Sequence, residues 1–443
     1  MQPIMSRHTF SKRVSTASNL VRFAALSLCS IGTLLSPVSA NDIVPAPAQS
    51  SPILLTHGTL HTVIGDTLVD NDILIDNGKI IAIGQGLTHE GADIIDVSGK
   101  HLYPGLIALD TSIGLVEIGM VRSTVDSWEV GEVNPNLNTQ HAYNPDSEII
   151  PTIRYNGISH AQIVPTGDGI AGQSELVSLD AWTIEDALVT TQAQIHVYWP
   201  ELGTLATDEE EKTKQLEVHA QKIHTLKTAF EDGYRYFLAT NAGQSQLADP
   251  KLKAMLPLYQ GKAQLFVHAD SQLQLEQVVA LARQYHFNLV IVGGYDAWRL
   301  ASQLSEINAR VIYPYTFSLP KRKDEPVDLP FKIPALLKHA GLPFALGFSS
   351  DWNSRNLPFA AGQTVAYGLT QEEALKAITL DAAKMLNITD MGALSVGFKA
   401  NIIVAQGDIL DPMTAKIDAM YIEGRQIDLN NRQQQLYQKY LKR

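Results

Sequence analysis

Hydrophobic and polar positions along this chain fall into two textures. Short apolar runs of β character occur at residues 53–55, 60–64, 73–75, 80–83 and 94–97, and turn formers such as Asp76-Asn-Gly-Lys79 separate them. The same texture returns at 393–394, 401–405 and 419–422, punctuated by Gly397, Gly407 and Gly424. Between these ends, apolar runs at 102–109, 158–164, 236–239, 265–268, 289–292, 311–313 and 344–348 alternate with longer segments of helical spacing. Residues 272–285 carry Leu273, Leu275, Val278, Val279 and Ala282 at that spacing, and 372–386 carry Ala374, Leu375, Ile378, Ala382 and Met385. Such alternation predicts a parallel sheet with crossover helices, most economically an α/β fold with a (β/α)8 TIM-type barrel over 102–391. Fewer runs than eight are visible, so one strand is hidden, and 196–199 is its expected place. The strand-rich ends, 52–101 and 392–430, are expected to meet as a composite β-sandwich, leaving 431–443 as a C-terminal tail.

Composition changes the picture at the N-terminus. Residues 1–40 hold Arg7, Lys12, Arg13 and Arg22 with no acid, then an apolar run over 23–35, then Pro37-Val-Ser-Ala40 as a small-residue cleavage site. This pattern predicts a signal peptide cleaved after Ala40, and hence export to the periplasm. The alternatives are a membrane anchor, for which the run is short of the roughly 20 residues a span needs, and a lipoprotein at Cys29, where Leu28 is too bulky. Residues 41–51, rich in proline and small polar residues, read as a flexible leader. Cys29 is the single cysteine, so the processed chain offers no disulfide, no thiolate metal ligand and no thiol nucleophile. The formal net charge of −12 becomes more negative once the four leader cations are removed. That balance, with no basic cluster to offset it, argues against nucleic acid and anionic lipid surfaces as partners. A small-molecule substrate or ligand, without a membrane span, is expected instead.

The stretch Tyr103-Pro-Gly-Leu-Ile-Ala-Leu-Asp-Thr-Ser112 resembles the opening barrel strand of the amidohydrolase superfamily, in which a Pro-Gly-(Leu/Phe)-Ile-Asp sequence leads into His-x-His. The resemblance extends over nearly the whole chain beyond the leader. It includes Asp76-Asn-Gly-Lys-Ile-Ile-Ala-Ile-Gly84 before the barrel, and Glu373-Ala-Leu-Lys-Ala-Ile-Thr379, Ala382-Ala-Lys-Met-Leu386 and Gly392-Ala-Leu-Ser-Val-Gly-Phe-Lys-Ala-Asn401 after it. Within the superfamily the chain looks closest to the imidazolonepropionase-like group, in a branch carrying Asn144-Pro-Asp-Ser-Glu148 and Arg355-Asn-Leu-Pro358.

The resemblance implies a divalent metal, zinc first, that activates water for attack on a carbonyl while an aspartate takes the proton. Carried over residue by residue, His268 in Leu265-Phe-Val-His-Ala269 matches the strand-five histidine, and Asp351 in Gly347-Phe-Ser-Ser-Asp351 matches the strand-eight aspartate that serves as general base. Asp110 and Ser112 stand at the two His-x-His positions, Gly293 stands at the strand-six histidine, and no lysine occurs from 234 to 246, where a strand-four bridging lysine is sought. A binuclear centre is therefore excluded, while one metal on Asp110, His268 and Asp351 stays open if the three converge, and no metal at all stays open if they do not.

The insertion 113–157 should cap the barrel mouth. Arg122 and Arg355 are candidate grips for a substrate carboxylate, and Asn144 a further contact. Gly167-Asp-Gly-Ile-Ala-Gly172 spells a dinucleotide fingerprint, but Gln173-Ser-Glu-Leu-Val-Ser178 opens no helix, so it is expected to be a loop of turn glycines. His219 and His224 lie five apart on a charged helix and read as solvated. The function implied is hydrolysis of a carbon–nitrogen bond in a small amide, cyclic amide or peptide-like compound. The rival is an inactive amidohydrolase-fold binding protein, a homo-oligomer or a subunit paired with a complete paralogous amidohydrolase.

Overall fold

The computed structural model describes residues 43–189, 192–244 and 247–443, so the signal segment and its cleavage site lie outside the described residues. The N-terminal strands are β1 (Ile53–Leu60), β2 (Leu68–Asp76), β3 (Lys79–Gly84), β4 (Asp93–Asp96) and β5 (His101–Pro104). The barrel strands are β6 (Leu106–Thr111), β7 (Ile158–Ile163), β8 (Gly169–Ser178), β9 (Gln194–Tyr198), β10 (Gln264–Ala269), β11 (Asn288–Gly293), β12 (Arg310–Tyr313) and β13 (Phe344–Leu346). The chain ends on β14 (Ile402–Ala405), β15 (Ile417–Ile422) and β16 (Arg425–Gln426).

Both chain ends share one eight-stranded sheet in the order β16-β15-β14-β5-β1-β2-β3, with β4 paired to β1. The two ends are stitched together where β14 runs antiparallel to β5, Ile402 opposite Pro104 and Ala405 opposite His101. The ends thus meet as expected, although as a single hydrogen-bonded sheet with one side strand. From β5 the chain passes straight into the barrel through Gly105, where an added Cβ would lie 2.6 Å from Ser159 Oγ. Only glycine fits that crossing.

The barrel sheet runs β6 to β13 in sequence order. Its pairings are parallel except around β8, which is antiparallel to both β7 and β9. No crossover helix therefore separates β7 from β8, and the regular (β/α)8 expectation is corrected at that stave. The glycine-rich fingerprint segment, expected to be a loop, opens no helix but runs into a strand, with residues 169–172 the first four of β8. Closure is nearly complete: no ladder joins β13 to β6, but Phe348 N–H donates to Leu109 O at 3.1 Å.

The helices packed around the barrel are α1 (Ile150–Tyr155), α2 (Glu209–Asn241), α3 (Pro250–Tyr259), α4 (Gln272–Tyr285), α5 (Ala301–Glu306), α6 (Leu329–His339), α7 (Leu357–Val365), α8 (Gln371–Ala377) and α9 (Leu380–Met385). The run 236–239, read as a strand, lies inside α2. Four apolar residues in a row suit either state, and the flanks decide. Asp208 caps the helix by accepting from Glu211 N–H, three glutamates fill its positive first turn, and Leu226, Phe230 and Gly233 bury one face at helical spacing. Strand four is instead the hidden β9, within two residues of its expected place. The single helix expected at 372–386 is two, α8 and α9, separated where Thr379 Oγ1 turns back onto Leu375 O.

Inside the barrel, Ile107, Leu109, Phe266, Val290, Val292, Ile312 and Ala345 pack with Ala382, Ala383 and Met385 of α9, which plugs the bottom. The insertion 113–157 forms isolated bridges to the β8 region, Trp128 with Thr166, Val133 with Ile170 and Asn138 with Gln173. Residues of the leader are tied down as well: Ala46 N–H donates to Asp180 Oδ2 at 3.1 Å. That buried carboxylate also holds Arg154 at 2.5 Å and Arg425 at 2.9 Å, joining leader, barrel and end sheet at one point.

Candidate active site

At the carboxyl ends of the barrel strands lies a cavity of about 390 Å³ whose walls include Asp110, Ser112, Tyr198, His268, Asp270 and Tyr315. Asp110 reaches it by breaking the pleat. Its φ of 59° and the register shift between Ala108 and Thr111 turn two successive residues, Leu109 and Asp110, toward the barrel axis. One carboxylate oxygen accepts the Ser349 hydroxyl, and the other faces His268 Nδ1 at 4.0 Å.

His268 belongs to a chain of buried polar side chains that descends into the barrel. Its Nε2 meets His196 Nδ1 at 3.0 Å, and His196 Nε2 meets Ser174 Oγ at 2.7 Å. Ser174 donates to Gln194 Oε1 at 2.8 Å, Gln162 Nε2 donates to the same oxygen at 2.7 Å, and Gln162 Oε1 accepts from Asp110 N–H at 3.2 Å. The series thus ends on the main chain of Asp110, whose carboxylate faces the ring it started from. With the serine proton given to Gln194, hydrogen-bond complementarity assigns protons to Nε2 of both imidazoles and leaves His268 Nδ1 as a lone pair directed at Asp110 and the cavity. Tyr198 stacks on His268 with centroids 3.9 Å apart at 10°. Burial lowers the pKa of His268, against the pull of Asp110 and Asp270, so the ring is neutral at pH 7. Burial lowers His196 further, and the neighbouring His268 adds to it.

The opposite wall is built differently. Asp270 Oδ2 accepts the Tyr315 hydroxyl at 2.9 Å and pairs with Lys321, whose ammonium lies 4.3 Å above the Tyr315 ring. Its other oxygen fills the space beside Gly293: a Cβ there would sit 2.5 Å from Asp270 Oδ1, on a backbone with φ of 99°. The strand-six position thus lacks an imidazole and has no room for one.

These contacts bear directly on the implied metal. Among the described residues no group of three or more His, Cys, Asp or Glu side chains is placed to hold an ion. Asp110 and His268 come together, but Asp351 does not join them. It precedes the short helical turn Trp352–Asn356 and accepts from Ser350 Oγ at 3.2 Å, outside the cavity lining. Ser349 holds one oxygen of Asp110 and His196 meets Nε2 of His268, which leaves one carboxylate oxygen and one imidazole nitrogen facing the cavity, fewer than the roughly three protein ligands a catalytic site needs. The donor set does not fit a metal, and the expected trio is not assembled.

The three proposed substrate contacts also lie away from the cavity. Arg122 is exposed, 5.3 Å above the Trp128 ring. Asn144 Nδ2 donates to Glu117 at 3.1 Å. Arg355 donates to Trp352 O at 2.8 Å and covers that indole at 4.8 Å. Sequence reasoning missed His196, Asp270 and Lys321. For His196 a signal existed: Gln194-Ile-His-Val-Tyr198 alternates polar and apolar with period two, the mark of a strand with a polar inner face.

No family model matches the chain. A crystal structure of an amidohydrolase from Thermotoga maritima MSB8 superposes with TM-score 0.75 and 23% identity, covering 84% of this chain and 99% of that one. Molinate hydrolase superposes with TM-score 0.51 and 14% identity, covering 86% and 95%. Among curated proteins, the D-hydantoinase of Geobacillus stearothermophilus is 35% identical over 80 residues, only 18% of this chain and 16% of the hydantoinase. The chain has the fold of the amidohydrolase superfamily.

Proposed function

We propose that the protein is a hydrolase of carbon–nitrogen bonds in a small amide, cyclic amide or peptide-like compound, acting at the cavity between Asp110 and His268 after export to the periplasm. The observation that carries this reading is the pairing of a neutral, buried imidazole with a carboxylate 4.0 Å away at the barrel mouth. Hydrolysis needs a base for the attacking water and a donor for the oxygen that becomes negative. His268 Nδ1 accepts the water's proton as its oxygen adds to the carbonyl carbon, Asp110 stabilises the imidazolium so formed, and that imidazolium gives the proton to the leaving nitrogen as the carbon–nitrogen bond breaks. Ser112 lines the same cavity with a hydroxyl that no protein group engages among the described residues, and it serves as donor to the carbonyl oxygen. No step passes through a metal, because the donors do not fit one. The motifs 144–148 and 355–358 support placement in the imidazolonepropionase-like branch.

The test is release of amine or ammonia from a panel of hydantoins, N-acyl amino acids and dipeptides. Turnover that falls about 10²–10⁴-fold in His268→Ala and Asp110→Asn supports the reading; turnover that neither variant changes, or none from the wild type, rejects it. The engagement of both residues by Ser349 and His196 favours a second reading, a ligand-binding protein without turnover. Thermal stabilisation by the same compounds with no product released would select it.

A further inference from the structure

The small cavity is open on one side. Tyr198, Trp199 and Glu201 belong both to it and to a larger cavity of about 720 Å³ alongside. The long wall of that second space is the N-terminal half of α2, from Glu211 to Leu226, which at 1.5 Å per residue extends about 22 Å. This half-helix is unusual in its packing. The first buried residue of α2 is Leu226, and Val218, facing the cavity, keeps 51% of its surface exposed. A surface helix normally buries an apolar stripe; here four turns overhang a groove.

Across the groove stand Gly167, Gly169 and, between them, Asp168, which holds Lys222 of α2 at 3.2 Å. Glu211 and Lys214 on α2 and Glu201 outside that helix form no ion pair among the described residues. The lining therefore offers both signs of charge and apolar patches from Val218 and Leu202, in a trough that shares Tyr198, Trp199 and Glu201 with the smaller cavity.

We propose that this groove is an extended binding site for a peptide-like chain, whose scissile carbon–nitrogen bond enters the cavity between Asp110 and His268. At about 3.3 Å per residue, 22 Å accommodates roughly six residues of extended chain. Peptide chemistry is favoured because the unpaired carboxylates of Glu201 and Glu211 and the ammonium of Lys214 match the opposite charges at the two ends of such a chain. The inference rests on the hydrolase reading for the bond that is cleaved, but not for the binding itself.

Calorimetric titration of the purified protein with alanine peptides of two, four and six residues tests it. Affinity should rise at least tenfold from two to six residues. That gain should vanish in Val218→Arg, a change at an exposed position, and in Lys214→Trp as a second obstruction, with circular dichroism confirming that both remain folded. Equal affinity at every length, a gain that both variants retain, or no binding of the hexapeptide overturns the proposal. Length-dependent binding without cleavage leaves the groove standing and removes the hydrolase reading; cleavage of small amides without length dependence does the reverse.

Discussion

The two arcs of the barrel lining are made of opposite materials. From β7 to β10 the interior is mostly polar, with Gln162, Ser174, Gln194, His196 and Gln264 all fully buried and Phe266 a large apolar side chain among them. From β11 around to β6 it is Val290, Val292, Ile312, Ala345, Ile107 and Leu109. Bulky branched residues are the usual filling of such a cylinder, so the apolar arc is what packing requires. The polar arc is something else: buried amides and imidazoles hold a fold together only if nearly every donor and acceptor is met. Here the remaining unpaired atoms include Gln194 Nε2 and Gln264 Oε1, on residues opposite each other in the β9–β10 register. Asp110 and His268 stand where the arcs meet, and the polar arc fixes the ring of one and the backbone of the other. One arc supplies stability and the other supplies orientation.

That division can be broken from either side. Ile312→Ala removes packing from the apolar arc and should lower unfolding free energy by about 2–5 kcal/mol in chemical denaturation, without altering ring protonation at His268. His196→Leu strips partners from Ser174 and His268 and should lower stability less, by about 1–3 kcal/mol. It should also shift the nitrogen-15 resonances of the His268 ring, while His196→Asn, which keeps an acceptor near the old Nδ1, should restore them in part.

Acid sharpens the contrast. His160, buried on β7, has its pKa lowered to about 3, chiefly by burial, and His196 is lowered in the same way. Each binds a proton in the unfolded chain below about 6.5 and refuses it in the folded one. Stability is therefore whole above that value and falls as pH drops toward the folded pKa, by up to about 1.4 kcal/mol per pH unit for each ring. In His196→Leu this decline should be shallower than in the wild type when stability is followed from pH 7 to 4. The smallest effect belongs outside both arcs: Arg122→Ala should change stability by no more than about 0.5 kcal/mol and leave turnover within a factor of two.

Much of this architecture is legible in the sequence, for reasons that also explain the exceptions. The strands of the ends and β10 to β13 announce themselves because each is a short apolar run bounded by turn formers. β8 does not, since its glycines and polar inner face look like loop. His268 could be named from its motif, and Asp110 from its place after Pro104-Gly105. Their partners could not: His196 is 72 positions from His268, Ser349 is 239 from Asp110, and Lys321 is 51 from Asp270. Such pairs are set by barrel register, not local pattern. Asp351 shows the complementary failure, because its position could be read but its direction depends on the turn that follows β13.

The joint between the last and first staves gives the barrel a line of weakness. Among the described residues a single main-chain bond, Phe348 to Leu109, spans it beside the Ser349 contact to Asp110. Parting there disturbs Asp110 and spares its proposed partner, since His268 is anchored deep in the opposite wall. Any breathing of the cylinder is thereby converted into a change in the spacing of the two groups proposed to activate the attacking water.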